Sequence, residues 1–418
     1  MTTIDCRTRF VGAATVMDGD RLFGDLADRL RETGGLAARG VGQLGLSPLS
    51  FEVDGTNAHL VVGDGVLTLR EGRADDGTVV ELDATACSEL LQDVVSTFGL
   101  VMAGRVNVRR GHGDAFVAWE PVLRAAIDAR PVYEPGSIDF HARDGSPLDL
   151  HRAFRVDERR EEIGHFLAEA GYLHLENVFT EAEMAAVSAE LDTAMAAAKH
   201  DDGASWWART EEGWYPSRIL GFNLVSPALQ ELLASDRFTC IGEFTDDAMV
   251  QRDPKEGDSA EGLFKKIGVV EGISDVSWHK DCSMGGHSRG CCGLTVGIAV
   301  TGADARSGEL GVVAGSNRAN VRAVDLASDL DLPRIPLPTK TGDVTVHCSC
   351  TLHMSRPPVD RARRVVYTGF ALAPRPGDVH EQLSPEEIRR RRAALSDQTR
   401  NLESEQIGRS PEAFALDA

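Results

Sequence analysis

Trp278-His279-Lys280-Asp281 is the stretch of sequence that most directly indicates a fold. In a β-strand, residues i and i+2 point to the same face, so His279 and Asp281 can present an imidazole and a carboxylate to one ion. His353 follows after an interval long enough for the chain to return on a neighbouring strand. Two histidines and one carboxylate on adjacent strands form the facial triad that binds non-haem Fe(II) and leaves three coordination positions open.

His347 is the alternative to His353 as third ligand. Two arginines, Arg363 and Arg364, follow His353 at ten and eleven residues, whereas Pro358 stands eleven residues after His347. A guanidinium that reaches back into a barrel binds the far end of a dicarboxylate through a bidentate pair. We therefore expect His353 to be the ligand.

The sequence around these residues predicts a barrel. Beyond residue 260 it consists of short β-like runs separated by glycine turns, which is typical of a barrel or jelly roll and not of alternating β-α units. These runs are 265–270, 294–300, 309–313, 343–347 and 364–373. Ahead of them, Thr180 and Glu183 form a capping box before a predicted helix at 182–199.

The first 135 residues predict a smaller α+β domain. Leu22, Phe23, Leu26 and Leu30 share one helical face, and the pair Gly34-Gly35 is expected to end that helix. A linker is expected at 136–150, followed by the catalytic domain at 151–378. A helical tail at 379–418 contains a second capping box at 384–387.

The net charge argues against two classes of partner. The chain has 65 acidic and 44 basic side chains, a formal charge of −21, which disfavours contact with nucleic acid or anionic lipid. The longest apolar stretch, 291–303, falls short of the ~20 residues that span a bilayer. We expect a small-molecule substrate, and no nucleic acid or membrane partner.

The eight cysteines are expected to be reduced thiols of a cytoplasmic protein. In a chain of 418 residues they are more easily explained this way than as a disulfide framework, and no signal-peptide pattern is visible. Cys291, Cys292, Cys348 and Cys350 lack the two-residue spacing of paired zinc ligands and are expected to be buried small residues.

Several motifs in order make residues 158–375 resemble the phytanoyl-CoA dioxygenase-like family of Fe(II)/2-oxoglutarate oxygenases. The shared motifs are Gly164-His165-Phe166, Gly171-Tyr172-Leu173, Val178-Phe179-Thr180, Trp278-His279-Lys280-Asp281, Ser307-Gly308-Glu309-Leu310, Gly315-Ser316-Asn317, Gly342-Asp343-Val344 and His353-Met354-Ser355 with Arg364 after it. The resemblance implies a double-stranded β-helix, a jelly-roll or cupin-like catalytic domain. Ser307, where asparagine is common, and the segment 356–358 depart from the family pattern in loops on the substrate side.

The resemblance also implies a ligand set and three cofactors. The implied iron ligands are His279, Asp281 and His353. Arg364 would bind the 5-carboxylate of 2-oxoglutarate with a hydrogen bond from Ser355, and Lys265 or Lys266 would lie near this co-substrate. The implied cofactors are Fe(II), 2-oxoglutarate as co-substrate, and O₂.

Residues 20–130 resemble a sterol-carrier-protein-2-type domain. The shared features are an amphipathic first helix, a β-meander and the stretch 104–108 followed by Gly113-Asp114. Such domains bind apolar ligands between helix and sheet. An unrelated α+β accessory or dimerisation domain is the alternative.

Aromatic residues crowd the stretch 206–215, which is otherwise rich in small and acidic residues. Trp206, Trp207 and Trp214 are three of the chain's five tryptophans, and they indicate either core packing or an aromatic wall at a pocket mouth. Arg218, on the next predicted strand, is a candidate partner for an anionic substrate group. His287, in the glycine-rich loop after Asp281, is expected to face the loop or the substrate and not the metal.

The expected activity is that of a dioxygenase which hydroxylates, desaturates or cyclises at an aliphatic C–H of a small molecule, in specialised-metabolite biosynthesis. A lipid or acyl carrier with a non-catalytic barrel is the alternative, but it would not need His279, Asp281, His353 and Arg364 together. A metal-dependent isomerase or hydrolase on the same barrel would not need Arg364. No pattern points to a particular substrate or oligomeric state.

Overall fold

Five strands in the first third of the chain form a mixed sheet. The structure is a computed structural model that describes residues 14–200, 202–247, 249–272, 276–284, 293–324 and 330–373, with residues 390 and 416. The first elements are α1 (Gly19–Leu44), β1 (Leu49–Val53), β2 (Thr56–Gly63), β3 (Val66–Glu71), β4 (Thr78–Leu82), α2 (Ala84–Leu91), α3 (Thr97–Met102), β5 (Asn107–Arg110), α4 (Gly113–Val117) and α5 (Glu120–Asp128). The strand order is β3-β2-β1-β4-β5, in which β1 and β4 run parallel and the other neighbours antiparallel.

Helix α1 does not end at Gly34-Gly35, so that expectation is wrong. The helix continues to Leu44 and is capped by Gly45 in the left-handed conformation. A Cβ atom on Gly34 would lie 2.6 Å from the carbonyl oxygen of Leu67 in β3. The missing side chain therefore lets the helix lie close against the sheet, and this packing outweighs the low helix propensity of glycine.

A fully buried arginine connects three helices of this region. Arg124 in α5 forms ion pairs with Asp93, at 2.9 Å from its Nη1, and with Glu120, at 3.1 Å from its Nε. Its Nη2 also donates to the carbonyl oxygen of Leu90 at 2.8 Å. Glu120 in turn accepts a hydrogen bond from the backbone N–H of Thr97. Burial raises the pKa of Glu120, and the charge of Arg124 opposes that shift. The cluster therefore depends on this one cation.

We expect Arg124→Met to lower the free energy of unfolding by about 3–5 kcal/mol, because it removes a buried cation that forms ion pairs with Asp93 and Glu120. Arg31→Met is the control, since Arg31 forms an exposed ion pair with Asp28 that should contribute no more than about 1 kcal/mol. Urea denaturation of both variants measures the difference. Equal effects would contradict the special role of the buried cluster.

The described residues from 160 to 373 form a jelly roll with helices packed on one side. Its elements are α6 (Arg160–Ala170), β6 (Tyr172–Leu175), α7 (Glu181–Ala197), β7 (Ser205–Thr210), β8 (Gly213–Ile219), α8 (Pro227–Leu233), α9 (Asp236–Thr239), β9 (Ala260–Lys265), β10 (Val276–His279), β11 (Gly293–Ala299), β12 (Leu310–Val313), β13 (Arg334–Leu337), β14 (Val344–Cys348), β15 (His353–Ser355) and β16 (Arg363–Ala371). One antiparallel sheet has the order β6-β14-β11-β16-β9-β8-β7 and the other β10-β15-β12-β13. The chain therefore combines α and β structure, with a jelly-roll sandwich as predicted.

Strands β11 and β16 have two chemically different faces. Val296 and Ile298 belong to the hydrophobic core that also contains helical residues, and Phe370 packs at a tilt against Phe238 of α9 with 5.5 Å between ring centroids. The opposite face carries Gly297 and Tyr367, which line a cavity between the two sheets. Odd-numbered residues of both strands thus face the barrel interior, and even-numbered residues face the helices.

Residues 136–150, predicted as a linker, lie along the barrel. The segment forms an isolated bridge between His141 and Pro147, its Gly136 N–H donates to Asp331 at 2.8 Å, and the carbonyl oxygen of Asp139 accepts from Arg318 at 3.0 Å. Helix α3 of the first region contacts the 3₁₀ turn at Asp281–Met284. The domain boundaries and the likeness of the first region to a sterol-carrier protein stay predictions.

Three further expectations concern membrane-spanning helices, the cysteines and the C-terminal tail. Within the described ranges, no helix is both long and apolar enough to cross a membrane. The described cysteines are free thiols, namely Cys87, Cys240, Cys282, Cys348 and Cys350. The predicted tail helix lies outside the described residues, apart from positions 390 and 416.

Candidate metal centre

His279, Asp281 and His353 meet at the end of the smaller sheet. His279 ends β10 and is directly paired with His353, which begins β15, and Asp281 begins the 3₁₀ turn after β10. The Nε2 atoms of His279 and His353 lie 3.4 and 3.6 Å from Oδ1 of Asp281. One donor atom from each residue lies within 4.8 Å of the others, so the three can hold one metal ion.

Both histidines are oriented by the backbone. Nδ1 of His279 donates to the carbonyl oxygen of Ser277 at 2.7 Å, and Nδ1 of His353 donates to that of Thr351 at 3.0 Å. A carbonyl can only accept, so the proton lies on Nδ1 and each Nε2 presents its lone pair to the centre. This is the arrangement by which proteins fix the tautomer of metal-binding histidines, so these residues fit a metal.

The protonation states also suit a cation. Burial lowers the pKa of His353 well below its usual value, as do the neighbouring His347 and His279, so its imidazole is neutral at neutral pH. Burial alone would raise the pKa of Asp281, but its contacts with His353, His279 and His347 hold it well below its usual value. Neutral imidazole and ionised carboxylate are the forms that bind metal.

The second oxygen of Asp281 faces the larger sheet. Its Oδ2 accepts a hydrogen bond from the hydroxyl of Thr295 in β11 at 2.6 Å. His347, in β14 of the same sheet, brings its Nε2 to 3.5 Å from that oxygen and its ring to 4.0 Å from the ring of His353. The three-residue group that can hold a metal contains His353, and His347 lies beside it.

The orientation predicted for Arg364 is wrong. Its Nη1 donates to the hydroxyl of Ser188 at 2.7 Å, and its Nη2 forms an ion pair with Asp192 at 2.5 Å, both in helix α7. Position 364 is even-numbered in β16 and therefore lies on the helix-covered face of the sheet. Arg364 does not reach into the barrel.

Arg363 has the orientation that the sequence assigned to Arg364. It is 4% exposed, lines the cavity between the sheets, and donates from Nη2 to the hydroxyl of Ser355 at 3.2 Å. Its Nε has no hydrogen-bond partner among the described residues. Arg363 is thus a buried cation with unused donor capacity inside the barrel.

Of the two lysines predicted near the co-substrate, one lies inside the barrel. Lys265 is directly paired with Arg363 across β9 and β16, and its Nζ donates to the hydroxyl of Ser355 at 2.7 Å. The Nζ of Lys266 lies 4.9 Å from the ring centroid of Tyr215, away from Ser355. Two cationic side chains, from Lys265 and Arg363, therefore converge on one hydroxyl.

The predicted substrate residues lie in two places. Arg218 is paired with Leu263 of β9, and Leu263 is paired with Val365 of β16. Directly paired residues share a face, and Val365 is odd-numbered, so Arg218 lies on the barrel-facing side of the sheet. Its guanidinium covers the ring of Trp206 at 4.6 Å and forms a 3.1 Å ion pair with Glu261.

Trp207 and Trp214 instead pack around the ring of His200, with 5.0 and 5.4 Å between ring centroids. His287 lies outside the described residues. The structure therefore brings only Trp206 and Arg218 of this set to the barrel-facing side.

Sequence reasoning missed Thr295, Glu261 and the inward role of Arg363. A signal for the first was present in β11, where Thr295 alternates with apolar residues that belong to the core. Period-two alternation places Thr295 on the face of β11 opposite the core residues, which is the face toward the barrel interior.

Known proteins are similar to part of this chain. A family model described as phytanoyl-CoA dioxygenase (PhyH) matches residues 167–365, which include the three residues of the metal group. No curated protein matches the chain.

Several solved structures are similar over part of the chain. The non-haem α-ketoglutarate-dependent carbocyclase SnoK of nogalamycin biosynthesis is 18% identical, with 56% of this chain and 97% of that chain covered and a TM-score of 0.40. The epimerase SnoN, in complex with Fe³⁺, α-ketoglutarate and nogalamycin RO, is 18% identical, with 54% and 93% covered and a TM-score of 0.39. EctD from S. alaskensis, with 2-oxoglutarate and 5-hydroxyectoine, is 18% identical, with 62% and 96% covered and a TM-score of 0.41.

Proposed function

We propose that this chain is an Fe(II)- and 2-oxoglutarate-dependent dioxygenase that oxidises an aliphatic C–H bond of a small molecule. The observation that carries the proposal is the group His279, Asp281 and His353, in which both Nε2 atoms converge on one carboxylate oxygen. The match of the phytanoyl-CoA dioxygenase family model to the same part of the chain supports this class.

The chain's own residues would hold the metal on one face and leave the other face open. Bound iron and 2-oxoglutarate together supply the activation of O₂. Because His353 is neutral and Asp281 ionised, these two residues need not lose protons before the metal binds. His353 and His347 are buried, so the jelly roll shields the sheet side of the centre from water.

We infer that Arg363, Lys265 and Ser355 bind the far carboxylate of 2-oxoglutarate. Both cations donate to the hydroxyl of Ser355, and both are almost fully buried. Two like charges so close in a buried space favour an anion between them, and a planar guanidinium can grip a carboxylate through two parallel hydrogen bonds. Arg363 thereby takes the role that the sequence suggested for Arg364.

The substrate would meet the barrel beside the row of Trp206, Arg218 and Glu261. These residues share the barrel-facing side of the sheet with Arg363. An indole face, a cation and a carboxylate together suit a polar small molecule of specialised metabolism. Hydroxylation is the expected outcome, and desaturation or ring closure are alternatives at the same centre.

The test uses the full chain with Fe(II) and 2-oxoglutarate under anaerobic conditions. We expect the visible charge-transfer absorption of chelated 2-oxoglutarate. After admission of O₂, we expect one succinate per oxidised substrate across a small-molecule panel, with products 16 mass units heavier or 2 lighter. Asp281→Ala is the negative control. If the wild-type chain gave neither the absorption nor succinate, the proposed class would be wrong.

A further inference from the structure

His347 is a buried histidine beside the metal group whose own ring is left unsatisfied. It is 1% exposed, and neither Nδ1 nor Nε2 has a hydrogen-bond partner within the described residues. Buried polar side chains nearly always have a partner in native proteins, so each exception calls for a functional explanation. Burying an imidazole without hydrogen bonds costs free energy that a leucine at this position would not incur.

The nearest polar atom indicates what the ring does. Nε2 of His347 lies 3.5 Å from Oδ2 of Asp281, the oxygen that also accepts from Thr295 at 2.6 Å. Oδ1 of the same carboxylate faces the Nε2 atoms of His279 and His353. The two oxygens of Asp281 are therefore divided between the two sheets, one toward the metal group and one toward β11 and β14.

We propose that His347 is a positioning residue that donates from Nε2 to Oδ2 of Asp281 and, with Thr295, keeps this carboxylate a one-oxygen ligand. The inference rests on the proposed metal site. A carboxylate free to turn can bind a metal through both oxygens and occupy one more position. With Oδ2 held by two donors, only Oδ1 is available, and three positions stay open for 2-oxoglutarate and O₂.

The experiment compares His347→Leu, which fills the space without a donor, with His347→Gln, whose amide N–H can replace Nε2. Co(II) serves as the probe, because its affinity can be measured by chelator competition and its visible bands report coordination geometry. We expect His347→Leu to weaken Co(II) binding about 10- to 100-fold and to change the bands, as loss of an outer hydrogen-bond partner does. His347→Gln should recover most of both, and Thr295→Val should resemble His347→Leu.

The matched control is His174→Leu, which removes another histidine–aspartate contact, between His174 and Asp343 at 3.0 Å. It should leave Co(II) affinity and bands unchanged. Wild-type affinity and bands in His347→Leu would overturn the inference alone, whereas failure of the wild-type chain to bind Co(II) would overturn the metal site itself. Complete loss of binding in both His347 variants would make His347 a ligand, which also contradicts the positioning role.

Discussion

The His279→Ala and His353→Ala variants are expected to lose stoichiometric binding of Fe(II). Each substitution removes one of three protein donors, and the remaining pair no longer defines one face of an octahedral ion. In each case the lost Nε2 belongs to a ring that a backbone carbonyl holds toward Asp281. Anaerobic dialysis against Fe(II), followed by elemental analysis, measures the iron bound per chain.

His165→Ala is the control for this pair. His165 lies in α6, and its Nε2 contacts the carbonyl oxygen of His141 at 2.7 Å, outside the metal group. This variant should retain one iron per chain. If His353→Ala also retained it, His347 would be the next candidate, because its Nε2 lies 3.5 Å from Asp281.

Two of the three residues of the metal group could be predicted together because they are close in sequence. His279 and Asp281 are two residues apart, so more than one local backbone conformation can bring their side chains to the same metal ion. In the structure β10 ends at His279 and Asp281 begins a 3₁₀ turn, so strand alternation, on which the prediction relied, does not extend to Asp281. The two side chains still lie close together, because a tight turn also brings them near each other.

Strand alternation alone does not decide which of Arg363 and Arg364 faces the barrel interior. Period-two alternation requires Arg363 and Arg364 to face opposite sides, but it does not say which side is the interior. The decision comes from the rest of β16, where Val366 and Phe370 belong to the core that includes the helices. Arg364 is even-numbered like Val366 and Phe370, so it lies on the same, helix-covered face of β16. Alternation from Phe370 would therefore have predicted that Arg363 faces the barrel interior.

The contacts of His347 and Thr295 with Asp281 could not be predicted from sequence spacing. Both reach Asp281 from the larger sheet, which faces the smaller sheet that carries His279 and His353. No local spacing encodes how two sheets lie across a sandwich, because that arrangement results from side-chain packing over the whole interior. Contacts between sheets therefore had to come from the structure.

Arg363→Ala is expected to raise the KM for 2-oxoglutarate by on the order of 30- to several-thousand-fold, with little change in Fe(II) affinity. Removal of one member of a buried charged pair costs roughly 2–5 kcal/mol, and about 1.4 kcal/mol corresponds to a factor of ten. Arg363→Lys should recover only part of the loss, because an ammonium cannot reproduce the planar guanidinium. Titration of 2-oxoglutarate at saturating Fe(II) measures these values.

Arg364→Ala is the matched control, one residue along the same strand. It removes an ion pair with Asp192, whose side chain is 60% exposed, so we expect little change in KM. A large effect of Arg364→Ala with none of Arg363→Ala would restore the assignment that the sequence suggested. Equal effects would point to a general disturbance of β16, because the two side chains contact different partners, Ser355 inside the barrel and α7 outside it. Only a large and selective effect at Arg363 fits a carboxylate held between Arg363 and Lys265.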